Sequence, residues 1–244
     1  MAVKFTETLS NISSEIKSVL SQGLPVKVIF DLDSTVYDVS IRINRIFKEF
    51  AALPEIQRKY PHQAKILMGV TPHPEDYGVR KTLERYDFAT KDMTFFHALV
   101  EYWKKGFFSG SYLHYDVPYS GVIEYINDLK TAGAEILYLT GRDVPRMKDG
   151  TVASLKQYKL PVNSDASNLF LKPNSEITDV DFKKIFFQNL KDPNVWFFEN
   201  EPANIIICMS EAPQVKVVFV DTVHSGNGPL PPDTVQRFKS WTII

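Results

Sequence analysis

Two carboxylates two residues apart, Asp31 and Asp33, stand just past a short apolar run in VKVIFDLDSTVYD, Val26 to Asp38. The run is rich in Val and Ile and ends in turn formers, the pattern of a buried strand. A carboxylate at the end of such a strand sits on rigid backbone, at the edge where open α/β sheets hold ligands. Paired carboxylates there suit a hard divalent cation such as Mg2+, which takes oxygen ligands and shares them with phosphate. The same residues would also make an acidic turn beside a core strand, so the rest of the chain has to decide between the two.

Three further stretches follow in order: LTGR at 139–142, Lys172 in LFLKPN, and FFENEPAN at 197–204. With DLDST at 31–35 they give a chain that resembles the haloacid dehalogenase-like (HAD) superfamily of aspartate-nucleophile phosphohydrolases, from about Lys27 to Asp221. The resemblance implies Asp31 as nucleophile, attacking phosphorus to form an aspartyl-phosphate that water hydrolyses. It makes Asp33 the acid that protonates the leaving oxygen and then activates water, and its backbone carbonyl a metal ligand. Asp33 also favours a phosphatase over a dehalogenase, since a halide leaves without a proton. The Thr140 hydroxyl and amide would donate to a phosphate oxygen, and Gly141 would let backbone approach closely. Arg142 would reach substrate or serve in an ion pair. By motif order, Lys172 would neutralise both nucleophile and phosphoryl group. Ser34 and Thr35 supply turn donors.

The fourth stretch departs from the family's usual pattern. Matching its spacing places Asn200 on the metal and Asn204 behind it, with Glu199 as a further acid. An asparagine oxygen can ligate Mg2+ but brings no charge, so weaker affinity is expected than with aspartate. The register that puts Glu199 on the ion, directly or through water, stays open beside it. After the last core strand, His224 reads as a structural or solvent-bound residue near the site, and Asp221 either supports the metal shell or caps the strand exit.

The elements that would position these residues follow from periodicity. Ile12, Ile16, Val19 and Leu20 predict a helix over 11–21, ended by Gly23 and Pro25. From about 116 the text alternates. Helices are expected at 122–129, 151–158, 180–190 and 203–209, and strands at 135–139, 168–172, 195–198 and 215–220. A closing helix is expected at about 233–241. Such alternation argues for βαβ units. The predicted fold is a three-layer Rossmann-like α/β domain with a mostly parallel sheet, residues 1–39 and 115–244. Residues 40–114 interrupt it as a helical cap, with an apolar stripe of Ile43, Ile46, Phe47 and Phe50 and another of Phe96, Leu99, Val100 and Trp103. Pro54 is expected to interrupt the first of these helices, with further breaks at Pro61, Pro72, Pro74, Gly78 and Gly106. An inserted cap would exclude water and line a pocket, with candidates among Phe95, Phe96, Tyr102, Trp103, Phe107 and Phe108. An independently packed helical subdomain is the other reading.

The 244 residues carry a formal net charge of -1, which is no electrostatic footprint for nucleic acid. Cys208 is the one cysteine, excluding an intramolecular disulfide and any multi-cysteine metal site. The sequence lacks a secretory signal and any apolar segment of membrane-spanning length, so a soluble cytoplasmic protein is expected. Its expected partner is a small phosphorylated metabolite, with Mg2+ as cofactor and neither nucleic acid nor membrane. Three other functions stay open: a phosphotransferase or phosphomutase, a nucleic-acid end phosphatase suggested by TGRDVPRMKDGT, and a phosphate-binding scaffold.

Overall fold

The computed structural model describes residues 4–73, 75–86 and 92–243. Leu9, Ile12 and Ile16 share the buried face of α1 (Glu7–Ser21). The extra turn around Leu9 starts the helix ahead of residue 11. Gly23 follows in a left-handed conformation, φ 75°, which costs glycine no Cβ clash. Then comes β1 (Lys27–Phe30). Val28 and Phe30 join one apolar cluster and Ile29 the other, the alternation of a strand covered on both faces.

After β1 the chain leaves the sheet. β2 (Tyr37–Asp38) and β3 (Val117–Pro118) pair antiparallel and tie together the two ends of a helical excursion. That excursion contains α2 (Ser40–Ala52), α3 (Pro54–Lys59), α4 (Pro61–Gly69), α5 (Gly78–Glu84) and α6 (Met93–Phe107). Pro54 and Pro61 each open a new helix, at the position where a missing N–H is tolerated. Gly78 likewise begins a helix, Pro72 lies in a loop, and Pro74 lies outside the described residues. Gly106 is a correction: it does not break α6 but lets Ile46 of α2 pack close, where a Cβ would meet that side chain at 3.0 Å. Phe95 and Phe96 are buried, Phe95 against the rings of Phe50 and Tyr60.

A 3-10 turn (Gly110–Tyr115) returns the chain to α7 (Val122–Thr131), β4 (Glu135–Asp143), α8 (Val144–Gln157), β5 (Leu169–Lys172) and α9 (Asp179–Asn189). β6 (Val195–Glu199), α10 (Pro202–Glu211), β7 (Lys216–Val220) and β8 (Gln236–Phe238) complete the order. The six-stranded sheet runs β5-β4-β1-β6-β7-β8, parallel at each described pairing. Helices flank it, as the three-layer expectation required.

Two further expectations need correcting. The helix expected from 151 begins at Val144, capped by the Asp143 side chain on the Arg146 amide. Its buried face includes the polar Thr151 and Ser154, which hid the stripe. The closing helix is instead the edge strand β8. Phe238 and Trp241, three residues apart like a helical pair, both insert among core rings: Phe238 at 4.9 Å from Trp241, and Trp241 stacked on Phe198 at 5.8 Å. Pairing with β7 also covers a strand edge that would otherwise expose its backbone groups.

The 3-10 turn lies against α8, and a Cβ on Gly150 would run into the backbone of Gly110. Backbone cannot rotate aside, so Gly150→Ala is expected to cost about 1–3 kcal/mol as overpacking, read as a lower thermal midpoint. An unchanged melting curve would mean that these backbones do not touch.

Candidate active site

β1, lying between β4 and β6, delivers Asp31 to the carboxyl edge of the sheet. The turn after it is fixed by the Leu32 carbonyl, which accepts from the amides of Val36 and Tyr37 at 2.9 Å each. Ser34 takes φ 63°, a backbone state uncommon for a residue other than glycine. Because β4 and β6 run parallel to β1, their carboxyl ends reach the same edge and bring Thr140 and Asn200. Asp31, Asp33, Thr140 and Asn200 line one cavity of about 380 Å³. Its opposite wall comes from the helical excursion, including Ile43, Trp103, Phe107 and Phe108.

Lys172 is not among the lining residues. Its Nζ lies 2.7 Å from Asp179 Oδ1, and the Asp179 carboxylate packs where a Cβ on Gly141 would stand. The cation on Asp31 is Lys183 of α9, which the sequence reading missed. Its Nζ donates to Asp31 Oδ1 at 2.7 Å and to Glu199 Oε2 at 2.5 Å. A signal was present: Lys183 stands one helical turn before the buried Phe187, on the face that packs inward.

Two buried carboxyl groups thus share one buried ammonium, and ionising both leaves one negative charge in excess. Burial and then the Glu199 charge push the Asp31 carboxyl up to about 8, against the pull of Lys183. Burial draws the Lys183 ammonium down, but the charges of Asp31 and Glu199 outweigh it and hold it above its usual range.

Asp33, half-buried itself, joins a second network whose other members are buried. Its Oδ1 accepts from Arg142 Nη2 at 2.6 Å and from Arg42 Nη2 at 2.8 Å. Both arginines also hold Asp116, at 2.7 and 2.9 Å. Arg42, on α2, donates in addition to the Phe107 carbonyl at 3.0 Å. Burial raises the Asp33 carboxyl, but the Arg142 and Arg42 charges overcome it and hold the group far below the carboxylate range. Burial pushes Asp116 the other way, to about 6. Neither Arg42 nor Asp116 belongs to a motif, and nothing in their spacing separates them from surface residues.

Among the described residues no three His, Cys, Asp or Glu side chains converge as a metal site. The expected Mg2+ donors are the Asp31 carboxylate, the Asp33 carbonyl and the Asn200 side chain. These are oxygen donors of the kind a hard cation takes, with one charge among them. A cation here would also offset the burial and the Glu199 charge that disfavour ionised Asp31. Glu199 is fully engaged: Oε1 accepts from the amides of Asn200 and Glu201 at 2.9 and 2.8 Å, and Oε2 from Lys183 and from Asn204 Nδ2 at 3.2 Å. Asn200 Oδ1 accepts from Thr35 Oγ1 at 3.0 Å and its Nδ2 donates to the Val223 carbonyl at 2.5 Å, which turns the oxygen toward the Asp31 turn. His224 packs on the Phe219 ring and Asp221 lies 3.9 Å from Lys239; neither lines the cavity.

No family model matches the chain, and the search of curated proteins returns no match. Solved structures do. A HAD-superfamily hydrolase of subfamily IA, variant 1, from Geobacter sulfurreducens PCA is 15% identical over 88% of this chain and 92% of its own, with TM-score 0.50. A HAD-superfamily hydrolase from Ehrlichia chaffeensis is 13% identical over 89% and 93%, with TM-score 0.49. At 15% identity the likeness to the Geobacter structure is one of fold, and the parallel sheet interrupted by helices after its first strand has the haloacid dehalogenase-like fold with a helical cap.

Proposed function

We propose that the protein hydrolyses a small phosphomonoester through Asp31, in a Mg2+-dependent reaction. The observation that carries this reading is a buried carboxylate at a strand end, bonded to the Lys183 ammonium, in a cavity shared with Thr140 and Arg142. The Asp31 oxygen attacks phosphorus, the bond from phosphorus to the ester oxygen breaks, and the leaving oxygen takes a proton. Water then attacks the aspartyl-phosphate, loses a proton, and frees inorganic phosphate and Asp31. Lys183 screens the nucleophile and the incoming phosphate, the role that motif order would give to Lys172. Bound Mg2+ would supply the charge that keeps Asp31 ionised and offsets its repulsion from the phosphate.

Asp33 moves the proton in both steps. Held by two arginines it is ionised, the state a base requires. As acid it must first be protonated, and that needs the Arg42 or Arg142 contact to loosen. The helices over the cavity exclude water from the phosphoryl group, with Arg42 tying α2 to Asp33. The test is phosphate release from a panel of aryl and alkyl monophosphates in the presence of MgCl2; no release from any of them would overturn the reading.

Asn200 is proposed as the side-chain ligand from the β6 end, since the oxygens of Glu199 are already engaged. Asn200→Asp is expected to tighten Mg2+ binding about tenfold, the effect of one added charge on an oxygen site, measured by calorimetry without substrate. Asn200→Ala is expected to weaken it. Tighter binding by Asn200→Ala than by the native protein would rule the ligand out.

A further inference from the structure

The lining of the cavity also combines aromatic rings with acids. Tyr77, Trp103, Phe107 and Phe108 line it from the cap, and Asp76, Asp179 and Glu201 add carboxylates. Most of these acids have a cation of their own. Asp76 pairs with Arg85 and Asp179 with Lys172, each at 2.7 Å. Glu201 does not. It accepts from the Ser225 amide at 2.9 Å and from the Ser225 hydroxyl at 2.5 Å, and no ion pair joins it to a basic side chain among the described residues.

The same cavity also holds an acceptor with no donor at all. Asn204 is 3% exposed and lines the cavity, and its Oδ1 is buried without a hydrogen-bond partner. Buried acceptors are ordinarily satisfied, so an orphan beside a ligand cavity calls for a donor. The negative field reaches the aromatic wall: after burial itself, the charges of Glu201 and Asp179 push the Tyr77 phenol up to about 12. An anionic leaving group would meet repulsion here. A cationic one would find both an unpaired carboxylate and ring faces that attract positive charge.

Resting on the phosphomonoesterase reading, we propose that the alcohol part of the substrate carries a cationic nitrogen on an apolar or aromatic body, held by Glu201 and the Tyr77–Trp103 wall. The substrate class is then the monophosphates of amino alcohols or aminoalkyl phenols. Monophosphates whose alcohol part carries a carboxylate or a second phosphate are disfavoured.

The experiment compares three aryl phosphates matched in size, with aminomethyl, methyl and carboxylate groups in the para position. The expected order of kcat/KM is aminomethyl, methyl, carboxylate, with about tenfold or more between the ends, the scale of one cation–π contact with one charge contact. Glu201→Gln is expected to shrink that ratio by about threefold or more, and Glu201→Asp to retain most of it. A carboxylate or methyl ester preferred over aminomethyl, or a ratio unmoved by Glu201→Gln, would overturn the proposal while leaving the phosphatase reading intact. Calorimetric binding of the three free phenols gives the same comparison without turnover. Equal affinities there would overturn the proposal, whereas aminomethyl preference without hydrolysis of any ester would support it and sink the phosphatase reading instead.

Discussion

Asp31→Asn is expected to lower turnover of an aryl phosphate by at least about 1,000-fold, roughly 4 kcal/mol of barrier, without lowering the thermal midpoint. The amide keeps the size of the side chain but cannot form the aspartyl-phosphate. Stability is spared because Asp31 and Glu199 share the single ammonium of Lys183. The amide stands in for the neutral carboxyl that burial and the Glu199 charge favour, and it leaves a matched pair, Lys183 with Glu199. Phosphate release with and without Mg2+, alongside a melting curve, reads both expectations. Hydrolysis at the native rate would defeat the nucleophile assignment. Lost turnover with a collapsed fold would defeat the account of the trio.

The second large effect separates two lysines. Lys183→Met is expected to destabilise the fold by about 3–5 kcal/mol, because it strands two buried carboxylates without a counter-charge, and to remove turnover with it. Lys172→Ala is expected to cost no more than about 1 kcal/mol, since its partner Asp179 is 53% exposed and such pairs contribute little. At roughly 2–4 °C of midpoint per kcal/mol for a chain of this size, the two variants are easily told apart. Turnover separates them again: Lys172→Ala acts only through the Asp179 carboxylate against Gly141, so a several-fold loss at most is expected. Adding Glu199→Gln to Lys183→Met is expected to recover part of the stability but not the turnover. If Lys172→Ala proves the more damaging to turnover while Lys183→Met melts normally, the charge on Asp31 comes from the residue that motif order first indicated.

Local sequence is enough to place five of the six strands of the sheet and the points where the chain leaves them. Runs such as VKVIF, EILYL and VWFF are apolar on both faces, which suits only a strand covered on both sides, and a polar residue just past each run falls at a carboxyl edge. That local logic is enough to put Asp31, Thr140 and Asn200 at strand exits, and parallel pairing then brings the exits together. Tertiary structure alone decided which charges meet there. Lys172 and Lys183 are both plausible from neighbours in the chain, yet only α9 turns its lysine under the sheet edge. Arg42 and Asp116 lie 74 positions apart in sequence, 42 and 116, and their buried pairing with Asp33 and Arg142 exists only once α2 packs over the β1 turn. The same limit applies to β8, where Phe238 and Trp241 kept a helical spacing and the unpaired edge of β7 made the segment a strand. Periodicity reports which side of a segment is apolar. The partner of a buried charge, or of an open strand edge, is a property of distant chain, and only the packed molecule specifies it.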